Sequence, residues 1–407
     1  MPTFTDPIEN QLADYIRAHQ HELVTFCSRL IQTPSVNGAD DEAALADIIA
    51  AKAREFGLSV MVTGENPRRP NVIVSTAEQQ ETDLLLLGHL DTVPAGDEAN
   101  WDYPPFAGFV TADRVYGRGA IDTKGGMAAS LFALAALAAV GGLEQGRAQL
   151  ICVPDEESGA TGDLGIKYLH ANGLLHAKGA IYAYSGNQIT LGHRGLLRYR
   201  LIASGIAVHT GASEWQDKTA GANAVTGMAD LLIELENTPT DYSKTRYFER
   251  FKTVITPGTI ISGGTSINIV PDQCEALVDI RLTPEFDRKG LEAILDAAIA
   301  RVCGRRPSLK LEYQLLNDAS AVLTDENAAI VHVLDSATRD VTGIEPVRVV
   351  AGPANEGYLL VERGIPTICG FGPTGENAHA ANEYVEIEGL VNAAIIFALT
   401  ARRMSRN

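Results

Sequence analysis

Gly88–His89–Leu90–Asp91–Thr92–Val93–Pro94 follows directly on a run of leucines, Leu84–Leu87. Such an unbroken apolar run reads as a strand buried on both faces. His89 and Asp91 therefore leave that strand at its C-terminal end, where open α/β sheets build their binding crevices. Residues two apart in an extended segment point the same way. The Asp91 carboxylate is thus expected to reach one ring nitrogen of His89 and leave the other for a metal. A strand end with a solvated aspartate would read the same, so the rest of the chain must decide.

Outward from this segment, helices and strands alternate. Ile8, Leu12, Tyr15 and Ile16 recur at helical spacing, as do Leu23, Phe26 and Leu30, and a further helix over about 41–56 stops at Gly57. Strands are expected at 71–75, 83–89, 148–153 and 179–184, with a helix from near Gly125 closed by Gly141–Gly142. This predicts an α/β fold with a mostly parallel sheet flanked by helices. The alanine-rich Met127–Val140 segment is shorter than the roughly 20 residues of a membrane span, and reads as a buried helix.

The pattern changes at 196–204, where Leu197, Tyr199 and Leu201 alternate with Arg198 and Arg200. A helix at 222–236, strands at 253–261 and 274–282 and a helix at 288–303 follow, the order of a small α+β domain with an antiparallel sheet. The alternating pattern resumes near Pro307. The expected organisation is a first domain at 1–194 and 307–407, with a smaller α+β domain inserted at 195–306.

Of the 407 residues 45% are hydrophobic and 21% charged, ordinary for a globular chain, and the net charge is −18. That sign argues against nucleic acid and anionic membranes as partners and leaves a small-molecule substrate. Residues 1–10 carry acids and prolines rather than the basic and apolar regions of a signal peptide. Cys27, Cys152, Cys274, Cys303 and Cys369 are far apart with no C-x-x-C spacing, which favours free thiols and a cytoplasmic setting over a disulfide framework.

Four more segments carry chemistry. In Gly117–Gly126 an aspartate, Asp122, sits among glycines in a loop that opens a helix. A phosphate cradle is the rival there, but the spacing is not that of a P-loop and Asp122 would repel phosphate. Val153–Gly159 places Asp155, Glu156 and Glu157 after a buried strand, and Gly372–His379 places a histidine in a loop after the strand expected at 367–371. Ala207–Gly211 puts His209 in the inserted domain. His89, Asp122, Glu157 and His379 together form a donor set suited to zinc, with cobalt or manganese as alternatives.

Taken in order, these segments resemble the co-catalytic di-zinc amidohydrolases and exopeptidases, a family that includes acetylornithine deacetylase, succinyl-diaminopimelate desuccinylase, aminoacylase and glutamate carboxypeptidase. The resemblance runs from His89-x-Asp91 through Asp122, Glu156–Glu157 and His209 to Ala378–His379, with Glu383 behind it. It implies that His89 holds a first metal with Asp91 behind it, that Asp122 bridges two metals, and that Glu157 and His379 hold the second. Glu156 resembles the general base. His209 resembles a histidine that reaches a neighbouring subunit's site, Asn268 and Arg281 resemble residues that meet a substrate carboxylate, and the inserted domain resembles a lid and dimerisation module, implying a homodimer.

The pattern breaks at one place. The family's further acid for the first metal, usually in a Glu-Pro-Ser/Thr turn, falls on Ala183 in Tyr182–Ala183–Tyr184–Ser185. Alanine cannot coordinate, so one tight zinc and a second weak or absent one are expected. A second departure is Asn355–Glu356, in a loop expected beside the substrate, where relatives often carry aspartate. The reading is a metal-dependent hydrolase acting on the amide of an N-acyl amino acid. Its alternatives are a dipeptidase or carboxypeptidase of the same family, and a non-catalytic binding homologue. Ala183 favours the last, and Glu156 opposes it, because a binder has no use for a base.

Overall fold

The computed structural model describes residues 4–78 and 80–406. The chain forms two compact units, one of Met1–Gly192, Leu323–Val350 and Asn355–Asn407, the other of His193–Val322 and Ala351–Ala354.

The first unit is built on a mixed six-stranded sheet. Its strand order is Ser59–Thr63, Asn71–Ser75, Arg147–Val153, Thr82–His89, Ala180–Tyr182 and Thr367–Ile368. The strands from Arg147–Val153 to Thr367–Ile368 pair in parallel. The sheet is thus mostly parallel, as expected, with an antiparallel edge. Asn71–Ser75 runs antiparallel to Arg147–Val153, and Ser59–Thr63 folds back on it across a short connection that only an antiparallel pair allows. Thr82–His89 is buried along its whole length, as its leucines require.

Helix Gly125–Val140 is buried from Gly125 to Leu137, the only stable setting for a helix apolar on every side. It packs against Pro7–Ala18, Gln20–Ile31 and Ile387–Met404. The last of these also covers Ala329–Thr342. Ion pairs tie it to the first helix region, with Arg402 Nε 2.6 Å from Asp6 Oδ2 and Arg403 Nε 2.8 Å from Glu9 Oε1. A small antiparallel sheet of Phe109–Val110, Arg114–Tyr116, Tyr384–Glu386 and Gly375–Glu376 ends in the hairpin that carries His379.

The second unit is a four-stranded antiparallel sheet in the order Val254–Gly263, Gln273–Leu282, Gly195–Ser204, Lys310–Ala319. Inward residues such as Leu197, Tyr199, Val278 and Ile280 pack on Leu231 and Leu235 of Ala224–Glu236 and on Leu291 and Leu295 of Arg288–Arg305. Both helices start on a side-chain cap, Asn223 accepting from Thr226 N and Asp287 from Gly290 N. The return to the first unit, expected at Pro307, comes later. Lys310–Ala319 pairs with Gly195–Ser204, so the second unit continues to Val322. An alternating strand looks the same in either sheet, and its partner lies far upstream.

Candidate metal centre

His89 is fully buried at the end of its strand. Its Nδ1 donates to the Asp91 backbone carbonyl at 2.8 Å, and its Nε2 lies 2.8 Å from Asp122 Oδ1. A carbonyl can only accept, so Nδ1 carries the hydrogen and Nε2 faces the carboxylate. Burial works against a charge on this ring, but Asp122 and Asp91 outweigh it and lift its pKa well above the usual histidine value.

The expected role of Asp91 is corrected in one respect. Its nearest carboxylate oxygen is 3.5 Å from His89 Nδ1, and the backbone oxygen takes the hydrogen bond instead. The carboxylate accepts from Glu156 N at 3.2 Å, from Glu157 N at 3.0 Å and from Asn37 Nδ2. Asp91 thus ties the His89 strand end to the turn that carries both glutamates.

Asp122 lies just before helix Gly125–Val140 and is buried. Its Oδ1 meets His89, while its Oδ2 meets His379 Nε2 at 3.0 Å and accepts from Tyr184 Oη at 2.7 Å. Burial raises its carboxyl, but the donors from His379, His89 and Tyr184 hold it below the usual range. Glu383 fixes the surrounding backbone. Fully buried, it pairs with Arg118 and accepts from Gly119 N and Ile121 N at 3.0 Å and from Asp122 N at 3.2 Å.

Glu156 and Glu157 occupy the short turn after strand Arg147–Val153. Glu157 Oε1 lies 3.0 Å from His379 Nε2. The Glu156 carboxyl is pushed up to about 8 by loss of water, with the charge of His89 opposing and those of Glu157, Asp122 and Asp91 adding. His379 is half-exposed at φ 63° in its hairpin, and the Asp122 and Glu157 carboxylates raise its ring to about 10. Ligand atoms of Asp122, Glu157 and His379 all lie within 4.8 Å of one another, as do those of His89, Glu156 and Glu157. Carboxylates converging on ring nitrogens that attract protons this strongly suit a divalent cation.

The structure therefore brings His89, Asp91, Asp122, Glu156, Glu157 and His379 together. Ala183 is buried and offers only a methyl group. The other expected residues belong to the second unit. His209 is exposed, its Nδ1 accepting from Gly211 N at 3.0 Å. The neighbouring segment holds Asn268, whose backbone oxygen accepts from Thr210 N. The Arg281 fork is engaged by Asp279 at 2.8 and 3.2 Å.

The contact of Tyr184 with Asp122 is an addition that the sequence did not supply. The Asn355–Glu356 loop, expected beside the substrate, turns inward. Glu356 is fully buried with both oxygens unpartnered among the described residues, and burial, then Asp155 and Glu156, raise its carboxyl well above the usual range.

The pattern of peptidase family M20/M25/M40 matches residues 85–403. The chain belongs to this family. This M20/M25/M40 peptidase is a metal-dependent amide hydrolase. It is 28% identical to a succinyl-diaminopimelate desuccinylase of Rhodopseudomonas palustris over 391 residues, 92% of this chain and 96% of that protein. A desuccinylase of the same name from Methylocella silvestris is 27% identical over 389 residues, covering 93% and 97%. The fold is that of an M20 family metallo-carboxypeptidase from Sulfolobus solfataricus, with a TM-score of 0.76 at 19% identity over 95% of this chain and 100% of that one. It is also that of human carnosine dipeptidase 1, with a TM-score of 0.75 at 17% identity and full coverage of both chains.

Proposed function

We propose that this chain hydrolyses the amide bond of an N-acyl amino acid, a succinylated or acetylated one, using one tightly held zinc ion. The observation that carries the reading is the convergence of Asp122 Oδ2, Glu157 Oε1 and His379 Nε2 beside Glu156. Those three residues would hold the ion, with cobalt or manganese able to replace it. When bound, such an ion supplies Lewis acidity toward the amide carbonyl and toward water.

Glu156 takes a proton from the attacking water as the water oxygen bonds to the carbonyl carbon. It returns that proton to the amine nitrogen as the C–N bond breaks, and the remaining water proton passes from the new carboxylic acid to the amine, leaving a carboxylate and an ammonium. Asp91 holds Glu156 for this task through the Glu156 peptide N–H, and holds His89 through its own carbonyl. Ala183 withholds the usual acid from His89, so a second ion there would have to draw on Glu156 or Glu157. An ion held by Glu156 removes the base.

The proposal extends to a homodimer in which the second unit is the lid and dimerisation module, and in which His209, Asn268 and Arg281 meet the substrate. The exposed Ile260 and Ile261 on edge strand Val254–Gly263 support pairing through that unit. For Arg281 to bind a substrate carboxylate, Asp279 must give way. All five cysteines are free, in keeping with a reducing cytoplasm.

The test combines zinc stoichiometry with turnover of N-succinyl and N-acetyl amino acids. Activity should peak at one zinc per chain and fall as a second binds, and Glu156→Gln should abolish turnover while keeping the zinc. Full activity only at two equivalents, or an active Glu156→Gln variant, would overturn the mechanism.

A further inference from the structure

We propose that Tyr184 is a positioning residue of the metal centre, its phenol hydroxyl orienting the Asp122 carboxylate in a chain whose preceding residue, Ala183, carries no acid. The inference rests on the reading of Asp122, Glu157 and His379 as metal ligands.

The first support is direct contact. The Tyr184 hydroxyl donates at 2.7 Å to Asp122 Oδ2, the oxygen that faces His379. His89 holds the other oxygen at 2.8 Å. Contacts on both oxygens leave the carboxylate plane little freedom to rotate. A phenol facing carboxylates can only donate, so its hydrogen points at Asp122.

The second support is the way the turn is held. Strand Ala180–Tyr182 ends in a tight bend, with Tyr184 N donating to Tyr182 O at 2.8 Å. Ala183 N donates to Leu87 O at 2.7 Å, and Gly186 N to Pro373 O at 2.9 Å. Glycines grip the bend from both sides. A Cβ at Gly126 would lie 1.8 Å from Ala183 O, and one at Gly372 would lie 2.5 Å from Tyr184 O. The Tyr184 ring also stands edge-on to Tyr182, with centroids 6.2 Å apart. A side chain that only filled space would need no such exact backbone support, whereas a hydrogen bond to a ligand depends on it.

Partners that orient metal ligands typically contribute 10–100-fold in affinity. The experiment is competition for zinc between the full-length protein and a chromophoric chelator, for the parent, Tyr184→Phe and His379→Ala. Tyr184→Phe removes one oxygen and should bind zinc about 10–100-fold more weakly at unchanged stoichiometry, with the metal-free melting temperature unmoved. The visible bands of the cobalt-loaded protein should shift as well, because they report ligand geometry. A Tyr184→Phe zinc affinity within threefold of the parent and an unshifted cobalt spectrum would overturn the inference. His379→Ala separates the two levels. If it leaves zinc affinity intact, the ligand reading has failed; if it weakens zinc while Tyr184→Phe does not, only the role of Tyr184 falls.

Discussion

Glu383 lies outside the metal centre, yet its loss should cost the first unit much of its stability. One oxygen accepts from Arg118 and Gly119 N, the other from Ile121 N and Asp122 N. Neither the Glu383 carboxylate nor the Arg118 guanidinium has appreciable contact with water. Glu383→Gln keeps the shape but replaces one oxygen with an amide NH2, which must then face two donors. It also leaves the Arg118 charge buried without its partner. Breaking a buried pair on one side costs about 3–5 kcal/mol. That is a large part of the ordinary 5–15 kcal/mol of a folded domain. The chain has two tryptophans, and Trp101 lies 5.3 Å beneath the Arg118 guanidinium. Urea unfolding followed by Trp101 emission in a Trp215→Phe background therefore reads this region directly. A loss below about 1 kcal/mol would show that Glu383 is not the keystone of the Asp122 loop, and the reasoning would fail.

Gly126→Ala should lower the melting temperature, because its Cβ would lie 1.8 Å from Ala183 O and overpacking against backbone costs about 1–3 kcal/mol or more; an unchanged melt would refute the close approach. Asp91→Asn should lower kcat about 10–100-fold with little change in zinc stoichiometry, since an amide opposes the Glu156 and Glu157 N–H groups; steady-state kinetics with metal analysis decides this. In the second unit, burial raises the Glu285 carboxyl, but hydrogen bonds from Ser243, its own backbone N–H, Thr245 and Thr283 together outweigh it and hold the carboxyl at about 2, below the ordinary 4.5. Its contribution is thus present above pH 4.5 and lost as pH falls toward 2. The stability gap between parent and Glu285→Gln, followed by Trp215 emission in a Trp101→Phe background, should close across that window; a gap unchanged down to pH 3 would contradict it.

The sequence was most legible where local chemistry and tertiary role agree. Leu84–Leu87 could only be an interior strand, and its end carries His89 and Asp91 as that reading requires. The short turns holding Glu156, Glu157 and His379 were legible as loops after strands. The contacts that fix those residues were not. Glu383 accepts from backbone groups of the 119–122 loop, and Tyr184 meets Asp122, across sequence separations that no periodicity encodes. The Asp91 carboxylate went to the Glu156 turn because backbone N–H groups lay nearer than the ring it was expected to reach. The second unit's boundary was misplaced for a related reason. Lys310–Ala319 has the alternation of any half-buried strand, and only its partner reveals its sheet.

Helix Ile387–Met404 gives the chain a particular order of assembly. A ribosome delivers His89, Asp122, Glu156 and Glu157 early, together with the wholly apolar helix Gly125–Val140. Pro7–Ala18 and Gln20–Ile31 are already made by then, but the remaining surface that covers that helix is not made until residues 387–404 emerge, after the whole second unit. During synthesis the first unit is therefore a sheet with a partly uncovered apolar flank, while all strands of the second unit's sheet are already made. The fragment holding most of the catalytic residues is thus the one least able to stand alone. Splitting the gene between the units would yield a folded insert and an aggregating enzyme.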